Sequence, residues 1–153
     1  MGQPLPYTSF PRKELHMENS SVPTVLIADD YDDVRKILKT WLEQHEYRVI
    51  EATSGKEAVE IAERELPDLI LMDLAMPEID GYGAAFLIRT HAKLRDVRII
   101  GISAYGELGI DAQLKIDPKA VGFNDYLPKP FSPEKLLGLV DRYLSKNKSA
   151  SVG

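Results

Sequence analysis

Between residues 24 and 144 the chain alternates short apolar runs with longer stretches in which apolar side chains return every three or four positions. The run "TVLIA" at 24–28 is short, β-branched and aliphatic, the pattern of a strand buried on both faces. Val34, Ile37, Leu38, Trp41 and Leu42 then follow at helical spacing and predict an amphipathic first helix. "YRVIEA" predicts the second strand, and Ser54 with Glu57 three residues on forms a capping-box pattern for a helix carrying Ala58, Ile61 and Ala62 inward. "DLILMD" predicts the third strand and "YGAAFLIRTHAKL", opened by Gly81, the third helix. "VRIIGIS" reads as the fourth strand, residues 107–116 as a weaker fourth helix, and "FNDYLP" as the fifth strand. Ser132 as N-cap and Pro133 at the first helical position start the last helix, with Leu136, Leu137, Val140 and Leu144 facing inward.

Five strands alternating with five helices imply a parallel five-stranded sheet covered on both sides, a three-layer (βα)5 sandwich of the α/β class. The flanks break this rhythm. Residues 1–22 carry Pro4, Pro6 and Pro11 and read as a flexible arm, residues 23–145 as one domain, and residues 146–153 as a small, polar, flexible tail.

Composition narrows the function classes. With 153 residues, 44% hydrophobic and 28% charged, the chain can build one real core. It has no cysteine, which excludes disulfides and thiolate metal sites. A net charge of −5 without a lysine or arginine run argues against nucleic acid as a partner. No stretch approaches the roughly 20 apolar residues needed to span a bilayer, and the N-terminus lacks a secretory apolar segment. A cytoplasmic protein without a membrane partner is the expectation.

In a parallel α/β sheet, ligands bind outside the carboxyl ends of the strands, so the residues ending each strand carry the chemistry. Strand one ends in Asp29 and Asp30, strand three in Asp73, strand four in Ser103, and strand five near Lys129. Taken singly, each has a plain structural role. Asp29, Asp30, Asp32 and Asp33 suit a helix start, Ser103 a turn and Lys129 the surface. Together they are harder to dismiss, since two carboxylates at ~4 Å cost about 4 kcal/mol at an effective dielectric near 20. Such a cluster needs a cation, and all-oxygen ligands suit Mg²⁺ or Mn²⁺. A metal, a lysine and a hydroxyl around a carboxylate are the equipment for phosphoryl transfer onto that carboxylate, Asp73.

These residues resemble the receiver domain of two-component response regulators, the CheY-like family. The likeness runs from "TVLIADD" to "LVDRYL" and rests on "ADD", "LILMDLAMPEIDG", "IGISA" and "DYLPKPF" occurring in order at strand ends. It implies a flavodoxin-like strand order of 2-1-3-4-5. By that resemblance Asp73 is the phosphoacceptor, and Asp29, Asp30, Asp73 and the backbone carbonyl of Ala75 hold Mg²⁺. Ser103 and Lys129 bind the phosphoryl group, and Tyr126 takes the aromatic switch position. The peptide bond between Lys129 and Pro130 is expected in cis.

The implied function is a phosphorelay switch rather than an enzyme, with chemistry limited to its own Mg²⁺-dependent phosphorylation and dephosphorylation. A histidine kinase or phosphotransfer protein would donate, docking around the first helix near Tyr31 and Val34. An unidentified downstream protein would read the face made by the predicted fourth helix, fifth strand and fifth helix, which would also serve a homodimer. Ala75 and Tyr105 occupy the positions that tune dephosphorylation, and Tyr105 is expected to restrict the attacking water. The segment 105–121 departs from the family by running long, with Asp117-Pro118 ending its helix early. Three alternatives stand beside this one: a phosphate-independent scaffold, a receiver segment of a larger hybrid kinase, and a metal-dependent hydrolase. The last is weakened by alanine, not an acid, at position 75. His45 and His91 are expected to be surface histidines away from the strand-end rim.

Overall fold

The structure, a computed structural model, describes residues 21–104 and 122–144. The predicted fourth helix, Tyr105, the Asp117-Pro118 turn, the tail and all but the last two residues of the arm lie outside them. Strands β1 (Thr24–Ala28), β2 (Arg48–Ala52), β3 (Leu69–Asp73), β4 (Arg98–Ser103) and β5 (Asp125–Pro128) form one parallel sheet in the order β2-β1-β3-β4-β5. Among the described residues the α-helices are α1 (Asp32–Gln44), α2 (Gly55–Glu65), α3 (Gly81–Thr90) and α4 (Pro133–Leu144), the last being the fifth of the sequence pattern.

The pleat divides the core in two. Leu26, Ile70 and Met72 point to one face and pack with Ala58, Ile61 and Ala62 of α2 and Ala84, Ala85 and Ile88 of α3. Val25, Ile27, Leu69 and Leu71 point to the other and meet Leu38 and Leu42 of α1 and Leu136, Leu139 and Val140 of α4. Each fully buried valine, leucine, isoleucine or methionine among these contributes about 1.5–3 kcal/mol, the alanines less. Strands covered on both faces have no solvent side, which is why "LILM", the four residues before Asp73, reads as a continuous apolar run.

Some expectations need correction. Ile37 is half exposed rather than inward, because Leu38 and Leu42 take the sheet-facing positions and Ile37 is rotated past the edge of that stripe. The third helix stops at Thr90: His91 is extended (φ −80°, ψ 128°), and residues Ala92–Leu94 form a separate 3-10 turn whose Lys93 N–H donates to His91 Nδ1. Phe123 and Asn124 precede β5 rather than belonging to it. In α4, Leu139 joins Leu136 and Val140 at the core while Leu137 and Leu144 flank it. The capping box closes differently as well. Ser54 Oγ accepts from Glu57 N at 3.1 Å, but Glu57 Oε1 reaches back to Thr53, accepting from its N–H and hydroxyl.

Candidate functional site

The site is built where β1 and β3 end. Register pairs Ala28 with Met72, so the next residues along, Asp29 and Asp73, fall side by side. Asp29 stays tied to the sheet through its N–H to Ala52 O (3.1 Å), and its Oδ1 accepts from Tyr31 N (2.8 Å). That Asx-type turn opens α1, whose N-cap, Tyr31, offers no side-chain bond; the aspartates are not its cap. Asp29, Asp30 and Asp73 each place a carboxylate oxygen within 4.8 Å of the others.

After Asp73 the chain must turn sharply to begin α3. Gly81 makes this possible: its N–H donates to Leu74 O (3.1 Å), and a Cβ there would lie 2.4 Å from the carbonyl oxygen of Asp73. Asp80 then caps α3 by accepting from Gly83 N at 2.8 Å, and Glu78 within the turn has a left-handed φ of 67°. Only a glycine lets the helix start press this closely against the backbone that carries the acid.

Asp29 and Asp73 are 1% and 4% exposed, so the cluster is charged and dry at once. Burial, and then the neighbouring charge of Asp29, pushes the Asp73 carboxyl up from 3.8 to about 6. Burial also raises Asp29, against the hydrogen bond from Tyr31 and the attraction of Lys129. Asp29 Oδ2 and Asp30 Oδ1 are buried without a hydrogen bond. Oxygens that are close, anionic and left unsatisfied fit a hard divalent cation, which takes carboxylate and carbonyl oxygens.

The remaining predicted residues gather on the same rim. Ser103 ends β4 fully buried, and its Oγ makes no hydrogen bond. Lys129 N donates to Ser103 O (2.7 Å), which holds the lysine beside the serine; its Nζ lies 4.0 Å from Asp29 Oδ2. The bond between Lys129 and Pro130 is cis, as expected. Ala75 is exposed just past the acid, and its N–H donates to Asp73 Oδ1 at 3.2 Å. Tyr126 packs inward against Phe123, with ring centroids 5.2 Å apart. Its ring crosses Gly101, where an added Cβ would meet it at 2.7 Å.

Two contributors escape sequence reasoning. Gly101 reads as an ordinary strand glycine until the ring above it is placed. Arg35 reads as a solvated helix cation, yet its side chain is 11% exposed and its Nη1 donates to Asp29 O at 2.8 Å. His45 and His91 do lie off the rim, as expected. His45, however, has a partner: its Nε2 sits 3.0 Å from Asp141 Oδ2, where Tyr47 OH also donates to Asp141.

Comparison with known proteins agrees with this geometry. The family model for the response regulator receiver domain matches residues 25–141. The ycf27 protein of Guillardia theta is 39% identical over 127 residues, covering 83% of this chain and 47% of that protein. The transcriptional regulatory protein SrrA of Staphylococcus aureus is 35% identical over 128 residues, covering 84% of this chain and 50% of SrrA. The chain thus spans about half the length of these curated relatives. The receiver domain of a sensor histidine kinase from Pseudomonas aeruginosa, solved with a magnesium ion coordinated in its active site cleft, superposes with a TM-score of 0.73 at 32% identity, covering 82% of this chain and all of that one. Together with the acidic rim at the ends of a 2-1-3-4-5 sheet, these matches show that the chain belongs to the response regulator receiver domain family of two-component systems.

Proposed function

We propose that Asp73 is a phosphoacceptor that receives a phosphoryl group from a histidine kinase or a phosphotransfer protein. The observation carrying this is the convergence of three carboxylates, two of them with buried unsatisfied oxygens, with the unsatisfied Ser103 hydroxyl and the Lys129 ammonium. A carboxylate oxygen of Asp73 attacks phosphorus, the bond from phosphorus to the donor nitrogen breaks, and the imidazole leaves with a proton. Lys129 offsets charge on the transferring oxygens, and Ser103 donates its hydroxyl to one of them. A divalent cation, held by Asp29, Asp30, Asp73 and the Ala75 carbonyl, would supply the positive charge that lets acid and phosphoryl group approach.

Signalling would follow from the unsatisfied hydroxyl. Ser103 moving toward the phosphoryl group would leave space behind it, into which Tyr126, whose ring now lies over Gly101, would rotate. The face it changes includes β5 and α4, where Asp125 accepts from Tyr143 OH at 3.0 Å and pairs with Arg142 at 3.6 Å. The donor would dock at α1, where the N-cap Tyr31 is 63% exposed and Ile37, 50% exposed, lines a groove with Lys36, Thr40 and Trp41. A net charge of −5 disfavours direct contact of this domain with DNA phosphates, which supports a reading in which the domain signals through protein contacts. Dephosphorylation tuning by Ala75 and Tyr105 rests on the family likeness, since Tyr105 lies outside the described residues.

Intact mass after incubation with acetyl phosphate and Mg²⁺ tests the proposal. One added phosphoryl group, absent without metal and absent in Asp73→Asn, is expected. No addition, under conditions that label a control receiver, would support the phosphate-independent scaffold.

A further inference from the structure

We propose that Arg35 is a positioning residue for the cation site, an inference that rests on the divalent-cation reading of the rim. Arg35 lies in the first turn of α1 and spreads its guanidinium over three acceptors: Asp29 O at 2.8 Å, Glu51 Oε1 at 3.1 Å and Asp32 Oδ1 at 2.5 Å. Glu51 belongs to β2 and is itself held from the other side by Lys39, 3.4 Å from Oε2. The next residue in β2, Ala52, accepts the Asp29 N–H. Both backbone polar groups of Asp29 are therefore fixed, the N–H by β2 directly and the carbonyl by Arg35, which β2 anchors in turn.

The peptide plane between Asp29 and Asp30 is the one from which both carboxylates of the pair project. Clamping its carbonyl sets the direction of the two side chains before any ligand arrives. Outer residues that orient ligands in this way commonly change metal affinity by about 10–100-fold when removed. Lysine cannot substitute, because one ammonium cannot span three acceptors held in a planar fork.

The arrangement is informative because charge alone argues the opposite way. A guanidinium beside an acidic cluster repels an incoming cation, so its removal on electrostatic grounds tightens binding. Removal of a clamp loosens it. The two roles predict opposite signs for one variant.

The test is Mg²⁺ affinity, measured by titration calorimetry at fixed ionic strength on the full chain, with melting curves confirming that each variant is folded. Arg35→Gln is expected to weaken Mg²⁺ binding about tenfold or more, and Arg35→Lys, which keeps the charge and loses the fork, to weaken it as well. Should the glutamine variant fail to fold, the lysine variant decides. Wild type that binds Mg²⁺ while both variants bind equally or more tightly would overturn the positioning role and leave the cation site standing. Wild type that binds no Mg²⁺ would remove the cation site and the inference together.

Discussion

The two ends of the sheet treat buried polar groups in opposite ways. At the amino ends of the strands, Arg89 of α3 reaches under β4 and β5. It donates to the carbonyls of Leu94, Arg95, Val97 and Gly122 and to Asn124 Oδ1, at distances from 2.5 to 3.2 Å. Asn124 Oδ1 also accepts from Ile99 N at 2.8 Å. Every nitrogen of that guanidinium has an acceptor. At the carboxyl ends, Asp29, Asp30 and Ser103 each bury an oxygen with no hydrogen bond, and three like charges share one rim. One end is complete as protein; the other leaves close, unsatisfied oxygens that fit a divalent cation. Buried polar groups are satisfied nearly everywhere in native folds, so a cluster of exceptions marks a binding site rather than poor packing.

The sharpest way to break that contrast is at the complete end. Arg89→Met strands several carbonyls at once and is expected to cost about 3 kcal/mol in chemical denaturation. Added Mg²⁺ should stabilise this variant by as much as wild type, because its defect lies at the opposite end. An Arg89→Met protein as stable as wild type would show that the amino-end network contributes nothing.

At the incomplete end the sign reverses. Asp73 titrates near 6 rather than 3.8, so between those values the folded protein holds more protons than the unfolded chain. Unfolding free energy therefore falls as pH rises through that window, a loss of about 3 kcal/mol at full ionisation, taking about 1.4 kcal/mol per pKa unit. Asp73→Asn removes this penalty. Without divalent cations the variant should be more stable than wild type at pH 7 and should lose its advantage as pH falls toward 4. A difference independent of pH would contradict the burial of the charge.

A smaller effect sharpens the link between rim and output face. Gly101→Ala drives a methyl into the Tyr126 ring and should cost about 1–3 kcal/mol. In a Tyr126→Ala background the same change should cost far less, so a double-mutant cycle reads the coupling directly. Equal costs in both backgrounds would place the ring elsewhere.

Much of this was legible along the chain, for a physical reason. Strands buried on both faces must be apolar throughout, so "TVLIA" and "LILMD" announce themselves, and the polar residue ending each run stands out as the candidate chemistry. Asp29, Asp30, Asp73, Ser103 and Lys129 all follow from that rule, and the structure brings them together. What stayed hidden depends on distance in space. Ile37 fits the helical period as well as Leu38 does, and only the orientation of α1 on the sheet separates them. Arg35 has no periodic signature, since its partners Asp29 and Glu51 come together only once β2 lies beside β1. Gly101 gains meaning from a residue 25 positions later, through the register that sets it against Tyr126.

The central claim is that the carboxyl-end rim is under electrostatic load in the bare protein and is relieved by a divalent cation. Melting temperature of wild type and Asp73→Asn across a Mg²⁺ series at pH 7 tests it most directly. The account predicts that wild type melts lower at first, rises steeply with Mg²⁺ and overtakes a nearly flat variant. Wild type that begins at or above the variant, and does not respond to Mg²⁺, would contradict it.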